Sequence, residues 1–336
     1  MKVKRFSYPL PPERIATAPV SPRDSAKLLV VGENLRDKRV FDLPELLEPG
    51  DLLVVNDTKV KPARLFGRRE TGGRVEMLFL RQLDATSHEA LVRANKRLRT
   101  GEQVGMDGGI SATLEERPDG DAIWRVRVEG DLDAALKAEG HVPLPPYIKR
   151  EDTLDDRDRY QTIFARDAQS AAAPTAGLHF TPELMDRLGA RGIETVRITL
   201  HVGYGTFQPV DVEEVEDHRL HEEEFEVSED AARRILARKG RLVAVGTTTT
   251  RVLESLAATG GIRAARGKTD LFLYPGKQFR AIDLLFTNFH VSESSLLMLV
   301  CAFGGTDRIL AAYHHALAND YRFFSYGDAM LVQPGD

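Results

Sequence analysis

Residues 48–80 read EPGDLLVVNDTKVKPARLFGRRETGGRVEMLFL, and two textures meet inside them. Asp51 to Asn56 is a continuous apolar run behind the turn-forming Glu48-Pro49-Gly50, as expected of a strand buried on both faces. Residues 27–31 have the same character. From Ala63 the pattern breaks into short segments, 64–69, 74–80, 89–94 and 124–128. Turns such as Thr71-Gly72-Gly73, Asp107-Gly108-Gly109 and Pro118-Asp119-Gly120 separate them. Short strands with Gly-rich turns at this spacing predict a small all-β barrel or sandwich. The buried-strand pattern resumes only after residues 140–147, GHVPLPPY, whose prolines favour a stiff linker. The expected fold class is therefore α/β: an α/β core, residues 1–62 and 149–336, interrupted by an inserted small all-β barrel or sandwich domain at 63–148.

Beyond the linker, helix and strand alternate. Thr181 caps a helix that has Pro182 at its first position, a strand spans 194–202, and 228–239 is helical. A strand at 241–245 enters a helix at 248–258 through Gly246. Strands are predicted at 270–274 and 281–288, and helices at 294–302 and 308–318.

The 336 residues are 42% hydrophobic and 29% charged, a globular composition that excludes a disordered tail or coiled coil. The longest apolar run, Leu296 to Phe303, is far short of the roughly 20 residues a spanning helix needs. The opening MKVKRFSYPLPPERIA has no apolar stretch behind its basic residues, so a cytoplasmic location is expected. One cysteine, Cys301, permits no intrachain disulfide and reads as a buried hydrophobe. Net charge is −5, and residues 1–60, 61–150 and 151–336 carry +1, +2 and −8. A nucleic-acid partner would need a local basic patch. Arg93, Lys96, Arg97 and Arg99 in LVRANKRLR, with Arg64, Arg68 and Arg69, supply one candidate within the β-rich segment.

Four strand-exit loops hold the chemistry-bearing residues. Pro174-Thr175-Ala176-Gly177 is a tight turn leading to His179 and the Thr181 cap. His201-Val202-Gly203-Tyr204-Gly205-Thr206-Phe207 contains Gly-x-Gly, but Gln208-Pro209 follows in place of a helix, which rules out a dinucleotide fingerprint. Gly246-Thr247-Thr248-Thr249-Thr250-Arg251 lacks the lysine and spacing of a Walker loop, yet a helix start of this kind can seat a carboxylate or phosphate. Asn288-Phe289-His290 leaves a fourth strand. If those strands share a sheet, Thr175, His201, Gly246 and His290 converge at its carboxyl edge, where α/β proteins place ligands. Residues 213–230 carry ten acids and His218-x-x-His221, without a metalloprotease or EF-hand pattern, and read as a solvated face with no metal. His88, His314 and His315 read as surface residues.

Eleven strings occur in order: DLLVVNDTKVKPARLFGR, GHVPLPPYI, YQTIFA, AAPTAGLHFT, TLHVGYGTFQPV, EDHRLH, AVGTTTTRVLES, FLYPG, TNFH, SSLLMLVCAFGG and YRFFSYGDAML. Together they resemble, over essentially the whole chain, the S-adenosylmethionine:tRNA ribosyltransferase-isomerases of queuosine biosynthesis. The resemblance implies that the ribosyl part of S-adenosylmethionine is transferred to 7-aminomethyl-7-deazaguanine at the wobble position of tRNA and isomerised. Epoxyqueuosine-tRNA, adenine and methionine result, S-adenosylmethionine is a consumed co-substrate, and no further cofactor is expected. A mixed α/β core interrupted by a small barrel is also the fold the resemblance implies.

That chemistry asks for a base, an acid for adenine and a seat for the methionine carboxylate. His179, His201 and His290 are the expected proton-transfer groups, with Asp57 and Asp328 as acidic partners. Substrate contacts are expected from Thr175, Gly177, Gly203, Gly205, Gly246, Thr247, Thr248, Arg251 and Asn288. Phe207, Tyr274 and Tyr326 are expected to stack on purine or deazapurine rings. Arg64, Arg93, Lys96, Arg97 and Arg99 are expected to touch tRNA, and the chain is expected to act as a monomer away from membranes.

Overall fold

A computed structural model describes residues 1–117, 123–166, 168–170, 172–203 and 210–335. The strands are β1 Lys27–Val31, β2 Leu35–Arg39, β3 Leu52–Asn56, β4 Lys59–Val60, β5 Arg64–Arg69, β6 Arg74–Gln82, β7 Ser87–Ala94, β8 Gln103–Met106 and β9 Ile110–Glu116. They continue with β10 Ile123–Glu129, β11 Ala168–Ser170, β12 Glu194–Leu200, β13 Glu223–Val227, β14 Leu242–Val245, β15 Ala265–Thr269, β16 Leu284–Asn288 and β17 Ala329–Val332. The helices are α1 Leu43–Leu46, α2 Leu132–Glu139, α3 Leu154–Arg159, α4 Pro182–Ala190, α5 Glu229–Leu236, α6 Thr247–Ala258, α7 Ser295–Gly304 and α8 Thr306–Ala318. Among the described residues no single helix is long and apolar enough to cross a membrane.

The chain divides into two compact units. The first is Met1–Lys59, Pro145–Arg150 and Arg159–Asp336. Its nine-stranded sheet runs β15-β13-β12-β3-β14-β16-β17-β1-β2. Every residue of β3, β14 and β16 is buried. Alternation divides each of them between two apolar clusters. Leu52, Val54 and Ala244 pack with Leu253, Leu256 and Leu297 of α6 and α7. Leu53, Val55, Val243 and Val245 pack with Leu43, Leu184 and Leu188 of α1 and α4. Helices on both faces explain why these strands read as unbroken apolar runs. The edge strands differ: β2, LRDKR, is largely exposed and charged, as is most of β15, ARGKT, which discourages pairing with another sheet.

Strands β12, β3, β14 and β16 are mutually parallel, so their carboxyl ends share one edge. Direction reverses at β17, which pairs antiparallel with β16, Asn288 facing Ala329. The loop entering β17 therefore reaches the same edge. The strand predicted at 270–274 is not formed; β15 lies just before it at Ala265–Thr269. The chain leaves the sheet there, as Thr269 Oγ1 accepts from the Leu271 amide at 3.2 Å and Leu273 turns into the core. Within the acidic run, Glu223, Phe225 and Val227 of β13 are buried, so only alternate residues form a solvated face.

The second unit is Val60–Leu144 and Glu151–Asp158. Six strands close a barrel in the order β10-β7-β6-β5-β8-β9. Leu65, Val75, Met77, Trp124 and Val126 fill it, and α2 lays Ala135 and Leu136 against them. Gly67 is needed where β5 meets β8, because a Cβ there would sit 2.5 Å from the Gly105 carbonyl oxygen. Residues 151–158, expected from the sequence to join the core, belong with the barrel. Asp152 accepts from the Val142 amide at 3.0 Å and lies 2.8 Å from His141 Nδ1, and Arg157 donates to the Gly140 carbonyl at 2.9 Å. His88 is not a surface residue: it is 8% exposed and meets the Phe79 ring edge-on at 6.0 Å. His314 is exposed, and His315 is half-buried against Asp37 at 3.0 Å. The turn expected at Pro118-Asp119-Gly120 lies outside the described residues.

Candidate functional site

At the shared strand edge of the first unit lies a cavity of about 290 Å³. Its walls come from the loop before α4 (Pro174, Thr175), the start of α6 (Gly246, Thr247, Thr248), the exit of β16 (Asn288 to Ser294) and the entry to β17 (Phe324, Ser325). Tyr147 and Val202 complete them. Three of the four residues expected to converge, Thr175, Gly246 and His290, line this space; His201 does not, although its neighbour Val202 does.

Gly246 makes the turn from β14 into α6 with φ 91° and ψ 155°, a conformation essentially reserved for glycine. The turn divides the four threonines into pairs. Thr247 and Thr248 face the cavity. Thr249 and Thr250 bend back, donating to the Val245 carbonyl at 2.8 Å and the Gly246 carbonyl at 3.1 Å. Beneath them Asn56, at the end of β3, ties two strand exits together. It donates to the Leu200 carbonyl at 3.0 Å and accepts from the amides of Thr58 and Leu200.

Asn288 is the hub on the other side. Its Nδ2 donates to the Phe324 carbonyl at 3.2 Å and to His179 Nε2 at 3.0 Å, while its Oδ1 accepts from the Thr175 hydroxyl at 3.2 Å. Accepting at Nε2 places the His179 proton on Nδ1. Burial, with the charges of Arg322 and Arg23, lowers the His179 pKa to about 3. His290 is likewise pushed to about 3 by burial, and its Nε2 lies 2.8 Å from Thr287 Oγ1. Its backbone is clamped, the amide donating to Tyr313 Oη at 2.8 Å and the carbonyl accepting from Tyr8 Oη at 2.5 Å. Both imidazoles are thus neutral at physiological pH.

The remaining expected residues lie elsewhere. His201 Nδ1 is 3.0 Å from Thr58 Oγ1, which itself donates to Ser170 at 2.9 Å. With that hydroxyl proton committed, His201 Nδ1 is the donor. Asp57 accepts from the Thr199 hydroxyl at 2.7 Å and lies 3.5 Å from Arg166 Nε. Asp328 accepts from the amides of Lys27 and Arg322 at 2.9 and 2.7 Å, so its carboxylate shapes the turn before β17 and does not line the cavity. Arg251 is buried against Glu223 and donates to the carbonyls of Leu271 and Thr269; Glu223 also accepts from the Gly203 amide at 3.0 Å. Gly177 is buried in the turn Thr175–His179. Tyr274 stacks with Phe272 and carries Lys277 over its ring, and Tyr326 packs edge-on to Tyr160. Gly205 and Phe207 fall outside the described residues.

Aromatic surface at the cavity comes instead from Tyr147 and Phe324, whose rings are 4.6 Å apart, with Tyr147 Oη bonded to Ser325 Oγ. The sequence gives little sign of either role. Tyr147 stands behind a proline pair in GHVPLPPYI, where the prolines dominate the reading, and Phe324 stands in YRFFSYGDAML beside the more conspicuous Tyr326. In the second unit, Arg93, Lys96, Arg97 and Arg99 are exposed, and Arg64 is half-buried 3.2 Å from Glu76. Arg69 pairs with Glu102 and donates to the Arg97 carbonyl at 3.3 Å, which fixes the loop that displays Arg97 and Arg99.

A mixed α/β sheet with a polar and aromatic cavity at its strand exits, together with a closed β-barrel, defines a two-unit α/β protein with a cavity where proteins of this class place ligands. The sequence model described as "Queuosine biosynthesis protein" matches residues 3–332, and the chain belongs to that family. It is 52% identical to the S-adenosylmethionine:tRNA ribosyltransferase-isomerase of Anaeromyxobacter sp. (strain Fw109-5), over 100% of both chains. The enzyme of the same name from Acidithiobacillus ferrooxidans is 50% identical over 99% of each. Among solved structures, the S-adenosylmethionine tRNA ribosyltransferase of Thermotoga maritima is similar with a TM-score of 0.56 and 35% identity, covering 97% of this chain and 99% of that one.

Proposed function

We propose that the chain is a transferase-isomerase that moves the ribosyl part of S-adenosylmethionine onto tRNA in queuosine biosynthesis. The acceptor in this reading is 7-aminomethyl-7-deazaguanine at the wobble position, and the products are epoxyqueuosine-tRNA, adenine and methionine. The observation that carries it is identity of about half of all positions, end to end, to enzymes named for this reaction.

The cavity supports the same reading in physical terms. His290 presents a neutral, weakly basic imidazole in the cavity wall and is the group proposed to take the substrate proton. Asn288, itself held by Thr175, engages His179 Nε2, so His179 acts by positioning that wall, and His201 lies one residue from it. The amides and hydroxyls at Thr247 and Thr248 open α6 and suit the methionine carboxylate. Tyr147 and Phe324 offer stacking surface for a purine or deazapurine. Asp57 and Arg251 act through the loops they tie, as does Asp328. The exposed Arg93, Lys96, Arg97 and Arg99 of the barrel unit contact tRNA phosphates. In this reading the chain works in the cytoplasm as a monomer, with S-adenosylmethionine consumed and not recycled.

Incubation with S-adenosylmethionine and tRNA bearing the 7-aminomethyl base tests it. Nuclease digestion and mass spectrometry should show epoxyqueuosine, with one adenine released per modified base. Adenine release that ignores added tRNA would replace this reading with simple hydrolysis.

A further inference from the structure

Glu293 has a backbone that a side chain disfavours, with φ 60°. Its surroundings impose that conformation. The Glu293 amide donates to the Phe6 carbonyl at 3.1 Å, and Ser292 Oγ accepts from the Tyr8 amide at 3.1 Å. On the other side Ser294 caps α7 by accepting from the Leu297 amide at 3.2 Å. A loop pinned at three successive residues cannot relax, and strain retained in this way next to a cavity is a pointer to function.

Glu293 is one of the residues lining the 290 Å³ cavity. It is the one group with a fixed charge among the described lining residues, which include no Asp, Lys or Arg. His290, in the same wall, is neutral. The Glu293 carboxylate makes no hydrogen bond or ion pair with any described residue, its only polar link being through the backbone amide. The cavity therefore carries one uncompensated negative charge beside Phe289, Val291 and Leu296. A charge at that wall discriminates by sign among the ligands that enter.

S-adenosylmethionine has a sulfonium, an ammonium and a carboxylate, and so a net charge of about +1 near neutral pH, since both cations are ionised there. A sulfonium has no N–H or O–H to donate, so a protein recognises it by charge. Resting on the proposed function, we infer that Glu293 is the counter-ion for the cationic end of S-adenosylmethionine and selects it over uncharged adenosine thioethers. The carboxylate is a specificity residue: it touches the co-substrate, and no bond is made or broken at it. Thr247 and Thr248, also in the lining, leave the opposite charge of the methionine carboxylate to the start of α6.

The test measures adenine release at saturating tRNA for the wild type, Glu293→Gln and Glu293→Asp. It reads KM for S-adenosylmethionine and Ki for 5′-methylthioadenosine, a neutral thioether with the same nucleoside. Glu293→Gln should raise KM about tenfold and leave Ki within roughly twofold, an ion-pair loss without a change in shape. Glu293→Asp should recover most of the affinity, and added salt should raise KM for the wild type more than for the Gln variant. The assignment is overturned if Glu293→Gln leaves KM unchanged, or raises KM and Ki in equal proportion. Absence of adenine release from the wild type would instead sink the proposed function, and shows before any variant is made.

Discussion

Burial disfavours an imidazolium at His179 and at the half-buried His290 in the cavity wall, so each is neutral in the folded chain and would regain its charge on unfolding. Both pKa values are depressed from 6.5 to about 3. Between those values the unfolded chain binds protons that the native one refuses, so stability is fully present above pH 6.5 and is lost progressively as pH falls towards 3. Thermal melts should accordingly decline from pH 7 to pH 4, and His290→Gln, which cannot take up the proton, should make the decline shallower. An unchanged slope in that variant would show that His290 is charged in the native state. Catalysis offers a separate check. If His290 moves a proton, His290→Ala should lower turnover by roughly 10² to 10⁴ at saturating substrates with tRNA affinity unchanged. Near-normal turnover would return it to a purely structural role between Thr287, Tyr8 and Tyr313.

At the scale of elements, the turn from β14 into α6 decides where two threonines point. Gly246→Ala should destabilise the chain by about 1–3 kcal/mol, because its φ of 91° with ψ 155° is open to glycine alone. A Cβ there would meet Ala176 at an ordinary 3.5 Å, so the cost is conformational and not steric. Gly246→Asn should therefore do no better, though asparagine tolerates other left-handed positions; a melting temperature restored by Asn would contradict this account. Elements with strong local signals are the ones visible in the sequence. The β3 run, the Thr181 cap with Pro182 and the strand-Gly-helix of 242–258 all express themselves within a few residues. Strands whose identity depends on a distant partner are not: β2 is charged and exists by pairing with β1, and β13 hides in an acidic run because only its inward residues are buried. The same holds for site residues. His179, His290 and Thr175 carry chemical types that invite attention, whereas Asn56 and Glu293 acquire meaning only from what surrounds them.

For the whole molecule, binding and chemistry are expected to separate by unit. Replacing Arg97 and Arg99 with alanine should weaken tRNA binding and flatten its salt dependence by about one unit of slope per lost phosphate contact, leaving saturated turnover nearly intact. A salt slope equal to the wild type's would remove the loop held by Arg69 and Glu102 from the RNA interface. The reversal of direction between β16 and β17 has a consequence for motion. A sheet whose central strands all run one way delivers only departing chain to its ligand edge. Here an arriving segment meets a departing one: the Phe324 amide bonds to the Phe289 carbonyl at 3.1 Å, and Asn288 grips the Phe324 carbonyl in return. Two stretches more than thirty residues apart are thereby stitched into one hem, which opens or stays shut as a unit. Hydrogen exchange should register this directly, with amides at 288–290 and 324–328 slowing together when the cavity fills.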